Sequence, residues 1–312
     1  MNATTPAVNT VLRKTLRHTE VLTRLPGYPA AVGLFIAWES MLNGMLQPGR
    51  RRPVLSWHEG GDGPPVLLLN GWTASGLLWP SGWLAGLEKD HHVVRVDNRG
   101  TGWARGAASP FTLADLAGDA AAVLRASAAG PATVVGLSMG GMIAQELAIR
   151  HPDLVGRLVL VATRPPAPAN VPAPPQVLDR EIGQLLDTPQ RDETLGAWFR
   201  SVWEPQSAPG FAQRHPQLFD ELAAQILERV TPRKAVINQL RAIAAWSGPG
   251  RLARITAPTT VVHGLADELV PVGNGMRLAR LIPGARYVEL PGVGHLVPLE
   301  APDALSAAIT GP

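Results

Sequence analysis

A serine flanked by small residues is the first candidate for chemistry in this chain. Ser138 lies within the segment 136–141, GLSMGG, which follows the β-branched run 132–135 and precedes an apolar stretch from Met142. A G-x-S-x-G pattern between a strand and a helix is typical of a nucleophile elbow. The turn is so tight that the residues two positions before and after the serine must be small. The pattern therefore predicts that Ser138 is a nucleophile at the first turn of a helix.

A base and a carboxylate that could activate this serine follow two later strands. A serine hydroxyl is a poor nucleophile at neutral pH and needs a base that a carboxylate orients. His295 lies in the segment PGVGH, just after the last predicted strand, and Asp267 follows the predicted strand before it. Sites in an open α/β sheet form at the carboxyl ends of strands, and the order serine, aspartate, histidine matches one hydrolase fold. The sequence thus predicts a triad of Ser138, Asp267 and His295.

The candidate base and carboxylate also have structural alternatives. His295 could instead be a loop histidine with a satisfied hydrogen bond, and Asp267 a turn-forming residue. His263 also ends a strand, but it precedes Gly264 and is interpreted as structural. The remaining histidines fall in an arm, an edge strand, the start of a strand, a helix exit and an insertion; they are His18, His58, His91, His92, His151 and His215. We therefore predict His295 as the base.

Two backbone N–H groups are predicted to bind the tetrahedral oxyanion. Met139 follows the nucleophile and supplies one, and Trp72, in the segment NGWT after the second core strand, supplies the other. Gly71 lets that loop turn toward the site. Such donors must be fixed in advance, since the loss of one typically costs about 3–4 kcal/mol of transition-state stabilisation.

Alternating strands and helices must position these residues. From Pro53 the pattern predicts an α/β fold with a mostly parallel, doubly wound sheet, and its first helix is expected around 77–89. We expect three parts, an N-terminal helical arm, a core in two pieces and a helical cap insertion; they span 1–52, 53–163 with 251–312, and 164–250. The arm is expected to pack on the core, and contact with a membrane surface or homodimerisation are its alternatives.

Composition excludes several other classes of protein. The chain has 312 residues, 46% hydrophobic and 17% charged, with a formal net charge of +3, as expected for an ordinary globular protein. It has no basic stripe interleaved with aromatics, so no nucleic-acid partner is expected. It has no cysteine, no clear signal segment and no apolar run of bilayer length, so we expect a cytoplasmic protein. Motifs for nucleotides or catalytic zinc are missing, so no cofactor or metal is expected.

Several segments together resemble the α/β-hydrolase superfamily, in its cap-bearing branch of esterases, lipases and related serine hydrolases. The matching segments are NGW at 70–72, DNRGTG at 97–102, GLSMGG at 136–141, Asp267 with Val270-Pro271, and Gly294-His295. The resemblance runs from Pro53 to the C-terminus and implies an α/β-hydrolase fold. Asn70 departs from the His-Gly usual in that loop, so its side-chain support is expected to differ. The run 270–295, with the NGW loop, also faintly resembles intracellular polyhydroxyalkanoate depolymerases.

The residues and the resemblance predict a cofactor-independent serine hydrolase that cleaves small-molecule carboxylic esters through an acyl-enzyme. The chain has nine tryptophans against two tyrosines, and most are expected to pack in the core. If two or three face the cleft, the acyl or alcohol pocket is apolar. The cap is expected to select apolar or medium-chain acyl groups. The tryptophans near the predicted loop or in the insertion are Trp72, Trp79, Trp198, Trp203 and Trp246. An acyltransferase and a carbon–carbon bond hydrolase are alternatives on the same triad. A non-catalytic receptor on this fold is the alternative from another class.

Overall fold

The computed structural model describes residues 55–104, 110–127, 130–187 and 192–311. The arm predicted at 1–52 lies outside these residues and stays a prediction. None of the described helices is both long enough and apolar enough to cross a membrane.

A seven-stranded sheet forms the centre of the described chain. Its strands are β1 (Ser56–Gly60), β2 (Pro65–Leu69), β3 (His92–Asp97), β4 (Ala132–Leu137), β5 (Val155–Val161), β6 (Thr259–Gly264) and β7 (Arg286–Leu290). Their order across the sheet is β1-β3-β2-β4-β5-β6-β7. β1 pairs antiparallel with β3, and the other neighbouring strands pair parallel. The mostly parallel α/β sheet predicted from the sequence is therefore confirmed.

Helices connect the strands and interrupt their alternation between β5 and β6. The described helices are α1 (Ser81–Leu87), α2 (Leu113–Ala126), α3 (Met139–Arg150), α4 (Pro175–Leu186), α5 (Asp192–Trp203), α6 (Phe211–Arg214), α7 (Pro216–Leu227), α8 (Arg233–Ala244), α9 (Gly273–Leu281), α10 (Val297–Glu300) and α11 (Pro302–Thr310). Helices α4–α8 fall within the run 164–250, which we call the inserted segment. Its bounds as a separate cap stay a prediction.

The hydrophobic core lies between the central strands and the helices that follow them. Residues 66–69 of β2 and 158–161 of β5 are continuously apolar and buried, as is typical of strands covered on both faces. Helices α2 and α3 contribute to the same core. A capping box at Thr112 begins α2, with the Asp115 N–H donating to Thr112 Oγ1 at 3.1 Å.

The first predicted helix, around 77–89, is shorter in the structure. A 3-10 turn spans Gly76–Leu78, and α1 begins only at Ser81. Pro80 separates the two because it has no N–H to donate and disfavours a helical conformation in the residue before it. Trp79 accordingly has an extended conformation, with φ −76° and ψ 124°.

Candidate active site

Ser138 lies at the turn between β4 and α3. Its φ of 54° and ψ of −118° are rarely adopted by a residue with a side chain. The Ser138 N–H donates to Val161 O at 2.9 Å, and the Thr163 hydroxyl donates to Ser138 O at 2.6 Å. Since Val161 ends β5 and Thr163 follows it, the neighbouring strand holds this strained residue in place.

Two glycines of the elbow are required by close packing. A Cβ atom on Gly136 would lie 2.5 Å from Gly140 O, and one on Gly140 would lie 2.0 Å from Leu69 O. Both separations are far shorter than a van der Waals contact. Neither position accepts a side chain without moving α3 away from the sheet.

Asp267 and His295 are brought together because β6 pairs with β7. The two strands end side by side, with Gly264 opposite Leu290. His295 Nδ1 lies 2.8 Å from Asp267 Oδ2, and both side chains are buried. An ionised carboxylate can only accept a hydrogen bond, so the shared proton is assigned to Nδ1. Nε2 of the neutral imidazole is then left to act as a base.

Burial and charge act in opposite directions on this pair. Burial lowers the pKa of His295, but the neighbouring carboxylates, Asp267 foremost and then Glu181 and Glu300, together outweigh burial and hold this pKa above its ordinary value. Burial raises the pKa of Asp267, but His295 and His263 outweigh it and hold that pKa below its ordinary value. The pair is therefore an ionised carboxylate beside an imidazole of increased basicity, as general base catalysis requires.

His263, at the end of β6, contacts the same carboxylate. Its side chain is fully buried, and its Nε2 lies 2.7 Å from Val270 O and 3.5 Å from Asp267 Oδ2. Asp267 Oδ1 accepts the Val270 N–H at 2.8 Å. Because a carbonyl can only accept, His263 Nε2 carries a proton. His263 thus supports the Asp267 carboxylate, in line with its interpretation as a structural residue.

The loop after β2 lies against the serine. A Cβ atom on Gly71 would lie 3.4 Å from Ser138 Cβ and 3.9 Å from Ser138 Oγ. Within the described part of the chain, the backbone N–H groups of Trp72 and Met139 donate to no protein acceptor. Both donors are free for a ligand oxygen, which an oxyanion hole requires.

Asn70 ties the start of this loop to the sheet. The side chain is fully buried, its Nδ2 donates to Val96 O at 2.5 Å, and its Oδ1 accepts the Trp79 indole N–H at 2.6 Å. Asn70, which stands where the resembling family usually has histidine, is therefore held by hydrogen bonds to β3 and to Trp79.

The inserted segment holds the same loop from its other side. The Trp72 indole N–H donates to Val236 O at 3.0 Å, and the Thr73 N–H donates to Gln239 Oε1 at 2.8 Å. The Thr231 hydroxyl donates to Thr73 O at 2.6 Å. Thr73 has a φ of 66°, an uncommon value outside glycine, and these bonds stabilise it.

Three tryptophans considered for the pocket are engaged within the protein. The Trp79 indole is bound to Asn70, and the Trp246 indole donates to Glu146 Oε1 at 2.8 Å. The Trp198 indole donates to Gln184 O at 2.9 Å. Core packing explains Trp79 and Trp246, and Trp198 is bonded within the inserted segment, so tryptophan content alone does not support an apolar pocket.

Glu300, which sequence reasoning missed, holds the loop that carries His295. Its carboxylate accepts the N–H groups of Gly294 at 3.0 Å, Leu296 at 3.2 Å and Ala208 at 2.8 Å. Burial raises the pKa of Glu300 above its ordinary value, although these three bonds oppose it. Since Ala208 belongs to the inserted segment, one carboxyl group joins that segment to both neighbours of the histidine.

Glu181, on α4, is a second missed carboxyl group. It is 2% exposed, and its Oε1 accepts from Gln206 Nε2 at 2.6 Å. Burial raises the pKa of Glu181 to about 7, although the charge of His295 opposes this. Gln206 O in turn accepts the His295 backbone N–H at 2.7 Å. Gln206 therefore links this carboxyl group to the candidate base.

Known proteins share this chain's sequence pattern and fold. Residues 64–302 match a family model described as alpha/beta hydrolase fold. The chain is 28% identical over 292 residues to rhodomycin D methylesterase DnrP of Streptomyces peucetius, covering 82% of this chain and 94% of the relative. It is 32% identical over 247 residues to the pimeloyl-[acyl-carrier protein] methyl ester esterase of Chromobacterium violaceum, covering 75% and 88%. The crystal structure of the enol-lactonase from Burkholderia xenovorans LB400 matches with a TM-score of 0.68 and 26% identity, covering 81% and 93%.

The sequence matches and the fold support one family. The matched run, 64–302, includes the five predicted site residues, from Trp72 to His295. The enol-lactonase structure covers 81% of this chain and so supports the same fold. The chain therefore belongs to the α/β-hydrolase family and is a hydrolytic enzyme, with ester hydrolases among its named relatives.

Proposed function

We propose that this enzyme hydrolyses carboxylic esters through an acyl-enzyme on Ser138. His295 is the general base and acid, Asp267 orients it, and the N–H groups of Trp72 and Met139 bind the oxyanion. The observation that carries the proposal is the buried 2.8 Å contact between His295 Nδ1 and Asp267 Oδ2. It lies beyond the carboxyl ends of the parallel strands, as the strained turn at Ser138 does.

The first half of the reaction forms the acyl-enzyme. His295 Nε2 takes the hydroxyl proton while Ser138 Oγ attacks the ester carbonyl carbon, and the carbonyl oxygen becomes an oxyanion bound by two N–H groups. Asp267 stabilises the imidazolium without taking its proton. The carbon–oxygen bond to the alcohol then breaks, and Nε2 returns the proton to the departing alkoxide.

The second half repeats these steps with water. His295 Nε2 takes a proton from a water molecule whose oxygen attacks the acyl carbon. When the second tetrahedral intermediate collapses, Ser138 Oγ leaves and recovers the proton from Nε2. The free acid is released and the enzyme returns to its starting state.

The names of the relatives support a substrate with a small alcohol. Two of them are named as methyl esterases, which favours a methyl or similarly small leaving group. Acyl transfer and carbon–carbon bond hydrolysis compete on the same residues. Added alcohols would reveal transfer as new ester products, and turnover of a diketone without turnover of esters would reveal the second alternative.

The Ser138→Ala variant tests the proposal. Without the nucleophile, kcat for p-nitrophenyl butyrate should fall by at least about 10³-fold. Ser201→Ala is the matched control, because Ser201 is an exposed serine whose hydroxyl donates only to Trp198 O. Retained hydrolysis by Ser138→Ala would contradict the assignment.

A further inference from the structure

Thr163, just beyond the end of β5, binds the carbonyl group of the proposed nucleophile. Its side chain is fully buried, and its hydroxyl donates to Ser138 O at 2.6 Å. A Cβ atom on Gly141 would lie 2.5 Å from Thr163 Cγ2, so α3 packs directly against this side chain. The hydroxyl is therefore held in one place, facing the start of α3.

Two other donors reach the same oxygen, but both belong to α3. The N–H groups of Gly141 and Met142 donate to Ser138 O at 2.9 and 3.3 Å. They are part of the helix that Ser138 caps, so they move with it. The bond from Thr163 joins Ser138 O to a different element, and it is the shortest of the three. It therefore fixes this carbonyl group relative to the sheet.

The chain adopts an uncommon conformation to bring Thr163 to this position. Val161 O accepts the Ser138 N–H at 2.9 Å, so the segment 161–163 binds both polar groups of the Ser138 backbone. Between these two contacts, Ala162 has a φ of 45°, in the region that residues with a Cβ atom rarely adopt. Strained residues persist where the surrounding structure holds them, and they concentrate at functional sites. The contact that Thr163 makes is therefore maintained at a cost in backbone conformation.

The Ser138 carbonyl and the Met139 N–H belong to one peptide group. This peptide group is trans. Because a trans peptide group is planar, its C=O and N–H bonds point in opposite directions. A hydrogen bond that fixes the direction of Ser138 O therefore also fixes the direction of the Met139 N–H, the proposed oxyanion donor.

We propose that Thr163 is a positioning residue that aims the Met139 N–H at the oxyanion of the tetrahedral intermediates. The inference rests on the proposed function, since it needs an oxyanion hole at Met139. Oxyanion donors are effective when they are oriented before charge develops on the carbonyl oxygen. A hydrogen bond to the carbonyl also polarises the peptide group and makes its N–H a stronger donor. Thr163 therefore acts on the chemical step and not on the binding of the ester.

Thr163→Val tests this inference, because it replaces the hydroxyl by a methyl group that cannot donate. The loss of an oxyanion donor typically costs about 10²- to 10³-fold in kcat, and a misdirected donor should lose part of this. We expect kcat and kcat/KM for p-nitrophenyl butyrate to fall together by about tenfold, with KM changed less than about twofold. The inhibition constant of butylboronic acid, whose serine adduct places an oxygen where the oxyanion forms, should rise by about the same factor. Thr163→Ser keeps the hydroxyl and should recover most of both.

Thr259→Val is the matched control. Thr259 is also a buried threonine whose hydroxyl donates to a backbone oxygen, Ala257 O at 2.8 Å. It begins β6, at the end of the sheet opposite to the site, so this variant should have the kcat of the wild type. Thr163→Ala serves in place of Thr163→Val if that variant does not fold, and the same changes in kcat and in the inhibition constant are expected.

The outcomes separate this inference from the proposed function. Wild-type kcat in Thr163→Val, a change confined to KM, or an equal loss of kcat in Thr163→Ser or Thr259→Val would overturn the inference. Hydrolysis that depends on Ser138 would in each of these cases still support the proposed function. If the wild type does not hydrolyse the ester in a Ser138-dependent manner, both fail.

Discussion

Two carboxyl groups near His295 differ in charge because they differ in hydrogen bonding. Asp267 accepts the Val270 N–H at 2.8 Å and lies 2.8 Å from His295 Nδ1, and despite burial its pKa is below the ordinary value. Glu181 accepts from the neutral amide of Gln206, and burial raises its pKa to about 7. A negative charge is therefore retained where it faces the imidazole, while Glu181 is mostly neutral below about pH 7.

Asp267→Asn should lower kcat by about 10³- to 10⁴-fold. The change removes the Asp267 carboxylate. In the wild type this carboxylate fixes the Nδ1–H tautomer of His295 and raises the pKa of His295. In the wild type, kcat/KM should rise with pH around a midpoint above 6.5, the ordinary histidine value, because the base must be neutral. Steady-state kinetics across pH measure both effects.

Glu268→Gln is the matched control for this substitution. Glu268 is the neighbouring residue and its side chain is exposed. We expect the Glu268→Gln variant to have the kcat of the wild type. An Asp267→Asn variant with kcat within about tenfold of wild type would remove Asp267 from the proposed triad.

Glu181→Gln should weaken the dependence of stability on pH. Folding raises the pKa of Glu181 from 4.5 to about 7, so the folded state holds this proton more tightly. The resulting stability is fully present below pH 4.5 and is lost as the pH rises through 7. Its size is on the order of 3 kcal/mol. Urea unfolding at pH 4.5 and pH 8 measures the free energy of unfolding of wild type and variant.

The pH dependence of the wild type must be compared with that of Glu181→Gln, because two other groups also make the folded protein less stable as the pH rises. The pKa values of His295 and Glu300 are also raised in the folded state. Glu221→Gln, at an exposed position on α7, is the control and should keep the wild-type dependence. An equal dependence in Glu181→Gln would show that Glu181 ionises normally in the folded protein.

Glu300 connects three elements, so its substitution should weaken the contacts between all three. It ends α10, binds the loop after β7 and binds the inserted segment through Ala208. Glu300→Gln keeps one acceptor oxygen and turns an NH2 group toward backbone donors. We expect the free energy of unfolding to fall by about 2 kcal/mol, and kcat to fall more than KM changes, because the loop with His295 relaxes.

Denaturant unfolding and steady-state kinetics measure these two effects. Glu289→Gln, at an exposed position on β7, is the control. Wild-type kcat in a destabilised Glu300→Gln variant would limit Glu300 to a structural role.

The sequence predicts individual strands and helices better than it predicts the contacts between them. Continuous apolar runs predict the parallel strands, and strand ends predict that Asp267 and His295 lie near each other, although their catalytic roles stay a prediction. The apolar pattern predicts the first helix too early, because Pro80 delays its start to Ser81. The contacts of Glu300 and Gln206 could not be predicted, since they depend on how the inserted segment packs on the core and not on any periodicity.

In the molecule as a whole, the inserted segment contacts the loops that carry both halves of the proposed site. Gln206 O accepts the backbone N–H of His295, and Ala208 donates to Glu300, which holds the same loop. Gln239 accepts from the loop with Trp72. The end of the segment is anchored to α3, where Glu146 accepts from the Trp246 indole at 2.8 Å. The inserted segment therefore holds both loops of the proposed site in position. The arm at 1–52, and its expected packing, membrane or dimer contacts, stay predictions.

Covalent labelling of Ser138 tests the central claim most directly. A fluorophosphonate probe reacts with an activated serine, and mass spectrometry of the digested protein locates the adduct. We predict a single adduct on the peptide with Ser138, formed in parallel with the loss of ester hydrolysis and much more slowly in Asp267→Asn. Undiminished hydrolysis by fully labelled enzyme, or an adduct at another serine that accompanies inactivation, would contradict the account.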